Sequence, residues 1–474
     1  MNNPLVLVTG ATGYVGGKLI EALTTQKVRI RALARDPRKV DDFIQMNAEV
    51  VQGDLLDPVS LTGALAGVHT AYYLVHSMGS GDAYARMDRE AATIFREVAR
   101  GAGVQRIVYL GGLGDSSTDL SPHLFSRQEV GRILKEGGVQ VIELRASIVL
   151  GVGSTSFEMI RALCERLPMM VTPRWVASRA QPIAIQDLLE YLLLSGVQDF
   201  QGHQVFEIGG PDQVGYNDIM KEYCQQRKLR RVMIPIPVLT PRLSSLWLQF
   251  VTPLYATVGR ALIDSIRNPT VVTDDSALAA FPVKPMGIRQ AIRMALKKED
   301  DEVMDMHWAQ WSGSRQFRNY LIDSRTIMVN KPVEQAFTAI ERIGGKNGWY
   351  FADWLWTLRG WLDRLVGGVG MRRARTHDTT LREGDFLDFW RIEKVKKNEA
   401  LVLRAEMKVP GRAWLKWEFD PQPNGMTRIC QTAIFDPLGM PGLGYWFLVT
   451  PLHDYVFAGL LNRIARFKIS SPSV

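Results

Sequence analysis

Short apolar runs alternate with amphipathic stretches along the first 150 residues. The stretch over residues 84–101 has the periodicity of a helix, because its apolar residues recur every three or four positions. Six apolar runs have the length of buried strands: residues 5–8, 28–33, 50–52, 70–75, 106–110 and 139–144. Strands and helices in alternation predict an α/β fold with a doubly wound parallel sheet and right-handed crossovers.

The pattern changes in the last third of the chain. A strand over residues 324–329 and a helix over 332–340 come first, followed by a tryptophan-rich segment over 349–365. Hairpin-like strands then follow one another: residues 385–394, 400–408, 413–421 and 426–435. A helix over residues 452–467 closes the chain, so this part is predicted to be an α+β domain with an antiparallel sheet.

Length indicates how many domains the chain has, and composition changes at the same place as the pattern of elements. A chain of 474 residues suggests two or three domains. From Trp311 onward there are 24 Lys/Arg against 16 Asp/Glu, whereas the first 310 residues balance at 33 against 33, and ten of the twelve tryptophans lie at or beyond Trp308. We therefore predict a first domain over residues 1–300, with its substrate side at about 151–300, and a second over 315–474.

Composition also limits the classes of binding partner and the cellular compartments that are expected for this protein. Positive charges are scattered rather than striped, which argues against nucleic acid. The three cysteines lie far apart without metal-ligand spacing, so we predict no metal site and a reducing, cytoplasmic setting. The first strand begins too early for a signal peptide, and no run is long enough to span a membrane. Residues 446–461 could lie on the inner-membrane surface, although packing on their own domain is favoured.

A glycine-rich turn joins the first strand to the first helix. Gly10, Gly13 and Gly16 follow the strand with the spacing of the dinucleotide fingerprint. Gly10 permits the tight turn, Gly13 lets the backbone approach a pyrophosphate, and Gly16 lets helix and strand pack closely. The helix N-terminus then offers N–H groups to the phosphates. The turn therefore predicts a dinucleotide site.

The end of the second strand favours NADP(H) over NAD(H). An NAD site needs an acidic residue there, but this chain has Ala34 followed by Arg35, with Arg31 and Arg38 nearby. A guanidinium suits a 2′-phosphate, and the alternative is that Arg35 is a solvated surface charge. Asp54 could accept a hydrogen bond from the adenine amine or could cap a turn.

Several segments together resemble the short-chain dehydrogenase/reductase superfamily, in its extended and atypical branches, over about residues 1–300. They are TGATGYVG, RALARDP, GDLLD, YYLVHSM and LRASIVLGVGS. The resemblance implies a Rossmann domain that binds a nicotinamide cofactor. The predicted cofactor-binding residues are Thr9, Gly10, Thr12, Gly13, Tyr14, Val15, Gly16, Arg35, Asp54, Leu55, Val75 and His76.

The chain departs from that superfamily in its catalytic residues. Members carry a serine after the fifth strand and a Tyr-x-x-x-Lys pair. Here the end of the fifth strand is followed by no serine until Ser116 and Ser117, and the pair is replaced by His123 and Arg127. A histidine could serve as acid or base near neutral pH, and Arg127 could hold a ribose hydroxyl. His76, followed by Ser77, is a further catalytic candidate. The alternative is that these residues only pack around the cofactor.

The C-terminal part resembles the helix-grip (START-like, SRPBCC) fold and also a domain of unknown function that follows atypical dehydrogenases in bacteria. The second resemblance rests on three segments: residues 343–350, 356–360 and 437–446. A helix-grip fold encloses an apolar cavity, which could hold a hydrophobic small molecule. Five tryptophans could line that cavity or simply fill the core: Trp354, Trp356, Trp390, Trp414 and Trp417. Residues 229–292 similarly suggest an apolar substrate lid or an ordinary small core.

These features predict an NADP(H)-dependent oxidoreductase that acts on a hydrophobic small molecule. The alternative is a non-catalytic NADP(H)-binding sensor or accessory protein, a situation that the related accessory subunit of respiratory complex I resembles. Epimerase-like or dehydratase activity on a nucleotide sugar ranks last, because it normally requires the missing tyrosine.

Overall fold

The computed structural model describes residues 3–26, 28–40, 47–76, 82–115, 120–236, 268–308, 313–317, 319–365, 367–370 and 380–467. The chain divides into two compact units, Met1–Glu299 and Asp300–Val474. Ser77, Ser116, Ser117 and residues 237–267 of the predicted lid lie outside the described residues.

The first unit is built around a parallel sheet of seven strands. Its strands are β1 Leu5–Val8, β2 Arg29–Ala34, β3 Ala48–Gln52, β4 Thr70–Tyr73, β5 Arg106–Gly112, β6 Gln140–Ala146 and β10 Gln204–Ile208. They lie in the order β3-β2-β1-β4-β5-β6-β10, which is the doubly wound order with one strand added beyond β6. The predicted α/β fold with a parallel sheet is confirmed.

Helices cover both faces of this sheet. Along β1, Val6 and Val8 belong to one buried cluster and Leu5 and Leu7 to another, as expected for a parallel strand that is covered on both sides. The helices are α1 Tyr14–Leu23, α2 Pro58–Leu65, α3 Asp82–Gly101, α4 Pro122–Lys135, α5 Thr155–Arg166, α6 Ile185–Val197, α7 Tyr216–Gln226, α8 Ser276–Ala280 and α9 Ile288–Asp305. The division between the units falls inside α9.

Two small parallel pairs complete the strands of the first unit. β7 Val149–Leu150 pairs with β9 Ile183–Ala184, and β8 Met169–Pro173 pairs with β11 Val232–Ile236. Short 3-10 turns lie at Pro37–Val40 and, before β9, at Arg174–Ala177.

The second unit contains an antiparallel sheet of seven strands in the order β12-β13-β18-β17-β16-β15-β14. The strands are β12 Gly313–Phe317, β13 Tyr320–Val329, β14 Phe386–Leu387, β15 Trp390–Lys396, β16 Ala400–Ala405, β17 Gly411–Pro421 and β18 Thr427–Pro437. The predicted antiparallel α+β domain is therefore present, whereas its resemblance to a helix-grip fold stays a prediction.

Three helices belong to the second unit: α10 Val333–Glu341, α11 Asp353–Leu365 and α12 Gly439–Arg466, with a 3-10 turn at Gly345–Asn347. Helix α12 packs on β13 and β18. It begins at Gly439 rather than at the predicted residue 452, because Pro451 lies inside the helix and does not mark its start. Thr450 lies just before the proline and its hydroxyl donates to the carbonyl oxygen of Trp446 at 2.8 Å.

Residues 300–308 cover one face of this antiparallel sheet. Val303, Met304 and Trp308 pack with Tyr320 and Trp414 in a buried cluster. The buried Lys416 ammonium donates to the carbonyl oxygens of Met304 at 2.8 Å and Met306 at 2.9 Å. The second unit thus begins earlier than the predicted residue 315, because these side chains supply part of its core.

The five tryptophans proposed as a cavity lining do not share one environment. Trp356, Trp390 and Trp417 belong to the main core of the second unit. Trp414 belongs to the separate cluster with Trp308, and Trp354 is 65% exposed. Positions 414 and 417 alternate across β17, so their side chains lie on opposite faces of the sheet. The core-filling interpretation therefore fits the three that pack together.

Among the described residues, no helix combines the length and the hydropathy needed to cross a bilayer.

Candidate functional site

A cavity of about 670 Å³ lies at the carboxyl ends of the central strands of the first unit. Open α/β sheets bind their ligands at this edge. The predicted site residues that line it are Gly10, Thr12, Gly13, Tyr14, Val15, Gly16, Arg35, Asp54, Leu55, Val75, His76, His123 and Arg127. The fold therefore brings together positions that are more than 100 residues apart in the chain.

The glycine turn has the backbone geometry that its spacing predicted. Gly10 adopts a φ of 68°, and the Gly13 N–H donates to the Gly10 carbonyl oxygen at 2.8 Å. A Cβ atom on Gly16 would lie 2.2 Å from that same oxygen, which leaves no space for a side chain. Helix α1 begins directly after Gly13, so its N-terminal N–H groups are at the cavity wall.

Thr9 is a structural residue rather than part of the cavity wall. It is fully buried, and its hydroxyl donates to the Tyr72 carbonyl oxygen at 3.0 Å and accepts from the Leu74 N–H at 3.1 Å. Both bonds fasten the end of β1 to β4. Thr9 is absent from the residues that line the cavity, so the structure gives it a supporting role, and its contact with a cofactor stays a prediction.

The three arginines near the end of β2 have different surroundings. Arg31 is held by Glu49 at 3.0 Å and by the carbonyl oxygen of Ala64 at 2.8 Å, away from the cavity. Arg38 forms a two-point ion pair with Asp36 at 2.9 and 3.1 Å. Arg35 lines the cavity, and no carboxylate of the described residues pairs with its exposed guanidinium. It is the arginine of this group that is placed to meet an anionic ligand.

Asp54 has the turn-capping role that its sequence context allowed, while its contact with the adenine amine stays a prediction. Its Oδ1 accepts from the Leu56 N–H at 3.0 Å, and its own N–H donates to the Ser60 hydroxyl at 3.2 Å. It therefore caps the turn after β3. Asp54 also lines the cavity, next to Leu55 and Leu56.

His76, His123 and Arg127 form a cluster in the cavity wall. The two imidazole rings meet edge to face with centroids 5.8 Å apart. Arg127 Nη2 donates to the Leu110 carbonyl oxygen at 2.9 Å, and the Tyr109 hydroxyl donates to the Arg127 carbonyl oxygen at 2.7 Å. Arg127 Nε is buried and has no hydrogen-bond partner among the described residues. The cluster thus holds a fixed cation beside two polar rings.

The electrostatics of this cluster keep both histidines neutral. Burial, the Arg127 charge and His123 lower the pKa of His76 to about 3. Burial and Arg127 likewise lower the pKa of His123 to about 4. At neutral pH both rings are therefore held in the uncharged form, which keeps one unprotonated ring nitrogen, and their role as acids or bases stays a prediction. What they offer at neutral pH is an uncharged hydrogen-bonding ring.

The cavity has two polar features that the sequence reasoning missed. Ser154 caps α5 by accepting from the Phe157 N–H at 3.2 Å, and this helix start lines the cavity. A serine just before an apolar helical pattern could have identified it. Asp88 also lines the cavity and is buried, with its carboxylate accepting from the Ser126 hydroxyl at 3.2 Å. Its position on the otherwise apolar face of α3 was the available signal.

Family comparisons match the two units separately. Residues 10–148 match the family described as NAD(P)H-binding. Residues 317–460 match a family described as proteins of unknown function, DUF2867. The two matches lie in different units, which agrees with the change of composition along the chain.

Curated relatives match about a third of the chain. An NAD(P)H azoreductase of Xenophilus azovorans is 29% identical over 139 residues, or 29% of this chain and 44% of the relative. A ceramide reductase of Caulobacter vibrioides is 27% identical over 170 residues, or 35% of this chain and 53% of the relative. The chain thus spans about half the length of these relatives.

Solved structures share the fold of the first unit. Citrobacter triphenylmethane reductase with NADP(H) has a TM-score of 0.51 at 19% identity, covering 61% of this chain and 99% of that chain. The NADPH-dependent quinone oxidoreductase of Escherichia coli with NADPH gives 0.51 at 18% identity, with 61% and 99% covered. The first unit thus has the fold of these structures, and residues 10–148 within it match the family described as NAD(P)H-binding.

Proposed function

We propose that this protein is an NADP(H)-dependent reductase of an uncharged, largely apolar acceptor such as a quinone or a carbonyl compound. The observation that carries the proposal is one cavity that combines the glycine turn, Arg35 and the cluster of His76, His123 and Arg127. Relatives and structural neighbours that are named as reductases of azo, ceramide, dye and quinone compounds support the reaction class.

The lining residues fit NADP(H) from one end of the cavity to the other. The N–H groups at the start of α1 would hold the pyrophosphate, where Gly16 leaves no side chain in the way. Arg35 would pair with the 2′-phosphate, while Asp54 and Leu55 would face the adenine. Val75 and His76 follow β4 and would adjoin the nicotinamide end. When bound, the cofactor supplies the hydride.

At the reactive end, this chain offers electrostatic stabilisation rather than a proton relay. The Arg127 guanidinium is fixed by the hydrogen bond that it donates to the Leu110 carbonyl oxygen. A negative charge that develops on an acceptor oxygen near this guanidinium would be stabilised without reorganisation of the site. The neutral rings of His76 and His123 could donate one hydrogen bond each to the same oxygen.

The remaining wall favours an apolar acceptor. Tyr84 and Met87 on α3 are partly exposed and line the cavity, together with Leu113 and Leu124. Apolar walls with a few convergent polar groups are typical of small-molecule sites. An acceptor with one or two oxygens and an apolar body suits this lining.

Calorimetric titration tests the cofactor half of the proposal. We expect the full-length protein to bind NADPH more tightly than NADH. Arg35→Ala should weaken the affinity for NADPH about 10- to 100-fold, because a charge-assisted contact is lost. NADH affinity should hardly change. Arg38→Ala is the matched control, since that arginine is already paired with Asp36. Equal loss in both variants, or no binding of any nicotinamide nucleotide, would contradict the proposal.

A non-catalytic NADP(H) sensor is the second candidate. Two observations favour the sensor. The chain lacks the Tyr-x-x-x-Lys pair that would supply a proton, and His123, which stands in its place, is unprotonated at neutral pH. NADPH oxidation followed by absorbance with a panel of quinones and aldehydes separates the two. Turnover supports the reductase, whereas tight NADPH binding without turnover across the panel supports the sensor.

A further inference from the structure

Helix α11 presents an apolar face to solvent. Its inward face carries the buried Trp356, Gly360 and Asp363. Its outward face is formed by side chains at helical spacing that are all exposed: Trp354, Leu358, Trp361, Leu362 and Leu365. An amphipathic helix normally turns its apolar stripe toward the core. Here the stripe points outward, so its exposure needs another explanation.

Helix α12 exposes a second group of apolar side chains. Its buried face includes Trp446, Phe457 and Leu460, which pack on the sheet of the second unit. On the outer side, Phe447 is 69% and Leu448 80% exposed. Further exposed apolar residues follow the same helix: Met440, Leu452 and Tyr455.

The two helices are neighbours within the second unit. Phe351, just before α11, contacts the ring of Tyr455 at 5.1 Å between centroids. The Trp356 ring lies 6.4 Å from that of Phe457. Gly459 leaves the space that Phe351 fills, since a Cβ there would lie 2.1 Å from the ring. We call the exposed apolar side chains of the two helices together the apolar face. Exposed apolar patches on a protein surface commonly mark interaction sites.

The two helices carry four arginines and three aspartates, which are Arg359, Arg364, Arg463 and Arg466 against Asp353, Asp363 and Asp454. Asp363 is buried and accepts from the N–H groups of Lys408 at 2.7 Å and Gly370 at 2.8 Å. Asp454 is paired with Arg325. In contrast, three arginines of α11 and α12 are exposed: Arg364, Arg463 and Arg466. Asp353 is also exposed, and its carboxylate accepts from the Trp349 N–H at 2.7 Å. The exposed charges of the two helices are thus three arginines against two aspartates, one of which is paired with Arg325.

We propose that the apolar face docks the protein on the surface of an anionic lipid bilayer. Trp and Tyr favour the level of the lipid headgroups, Leu and Phe reach the acyl boundary, and arginine attracts anionic headgroups. An anionic bilayer is the partner that this combination of exposed arginines with aromatic and aliphatic side chains fits. The helices lie on the membrane rather than across it, consistent with the finding that none of those described could span one.

Co-sedimentation of the full-length protein with vesicles tests this docking. One vesicle set contains phosphatidylcholine alone, and the other contains equal parts of phosphatidylcholine and phosphatidylglycerol. We expect binding to the anionic vesicles that weakens with added salt, because the arginines contribute. The double variant Leu358→Glu/Leu362→Glu should reduce partitioning at least about tenfold, since burial of one leucine is worth roughly that factor.

Two further variants separate docking from unfolding and from self-association. Val197→Glu changes an exposed apolar residue of the first unit, 74% exposed, and should bind vesicles like the parent. Arg364→Glu/Arg463→Glu should lose preference for anionic vesicles while circular dichroism and NADPH binding stay unchanged. The proposal is overturned if the parent does not sediment with anionic vesicles, or if the leucine variant sediments as the parent does. It is also overturned if light scattering shows that the leucine variant converts a dimer into monomers.

Discussion

At the scale of single residues, the Arg127 guanidinium governs the electrostatics of the cavity. It is tied to the Leu110 carbonyl oxygen at 2.9 Å and lowers the pKa of both His76 and His123. Burial is the larger cause of the neutral imidazoles, and the Arg127 cation adds to it. The same cation would provide positive charge where an acceptor oxygen develops a negative one.

We expect Arg127→Met to lower kcat about 10²- to 10³-fold while the NADPH dissociation constant changes little, because the charge acts on the developing oxyanion. The pKa values of His76 and His123 should rise in this variant, which a proton NMR titration of the imidazoles would measure. Arg132→Met on the same helix is the control, since Arg132 is exposed and paired with Glu136. A loss of activity without any rise in the histidine pKa values would assign Arg127 a packing role.

At the scale of elements, α12 carries a buried histidine among aromatic rings. His453 lies 5.5 Å from Trp446 and 4.8 Å from Phe457 between ring centroids, and its buried Nδ1 has no hydrogen-bond partner among the described residues. Burial, followed by Arg359 and Arg325, lowers the pKa of His453 to about 3. The helix therefore holds a ring that resists protonation.

This shift predicts a dependence of stability on pH. Because the folded pKa of His453 lies below the unfolded value, the folded state binds fewer protons between about pH 6.5 and pH 3. The free energy of unfolding should fall by up to about 1.4 kcal/mol per pH unit as pH drops through that window. His453→Phe should remove this part of the slope, as measured by urea unfolding and tryptophan fluorescence.

At the scale of the whole molecule, the chain combines two units with separate cores, and a different signal can follow the unfolding of each unit. The cofactor cavity belongs to the first unit, whereas ten of the twelve tryptophans belong to the second. Units with cores of their own commonly unfold in separate transitions. Ligand binding should then reveal which transition belongs to which unit.

We expect NADPH to raise the melting temperature of one calorimetric transition and not the other. At a concentration of 100 times the dissociation constant, binding stabilises the folded unit by about 2.7 kcal/mol, which corresponds to a shift of a few degrees. The transition that tryptophan fluorescence follows should stay in place. An equal shift of both signals would show instead that the units unfold together.

The sequence by itself determined the features that depend on local geometry. Gly10 and Gly16 could be assigned because a tight turn and a close approach exclude side chains whatever surrounds them. The alternation of strands and helices likewise identified the doubly wound sheet, since periodicity follows from which face each element buries.

Only the tertiary structure decided which side chains meet. His76, His123 and Arg127 come together because β4 and α4 adjoin the same cavity, and nothing local shows that Arg31 turns toward Glu49 while Arg35 faces the cavity. Tryptophan content marked the second unit but not the sides of its residues, since Trp356 is buried and Trp354, two positions earlier, is exposed. Such outcomes depend on packing between distant segments, which sets burial, charge environment and pKa, and which local sequence does not encode.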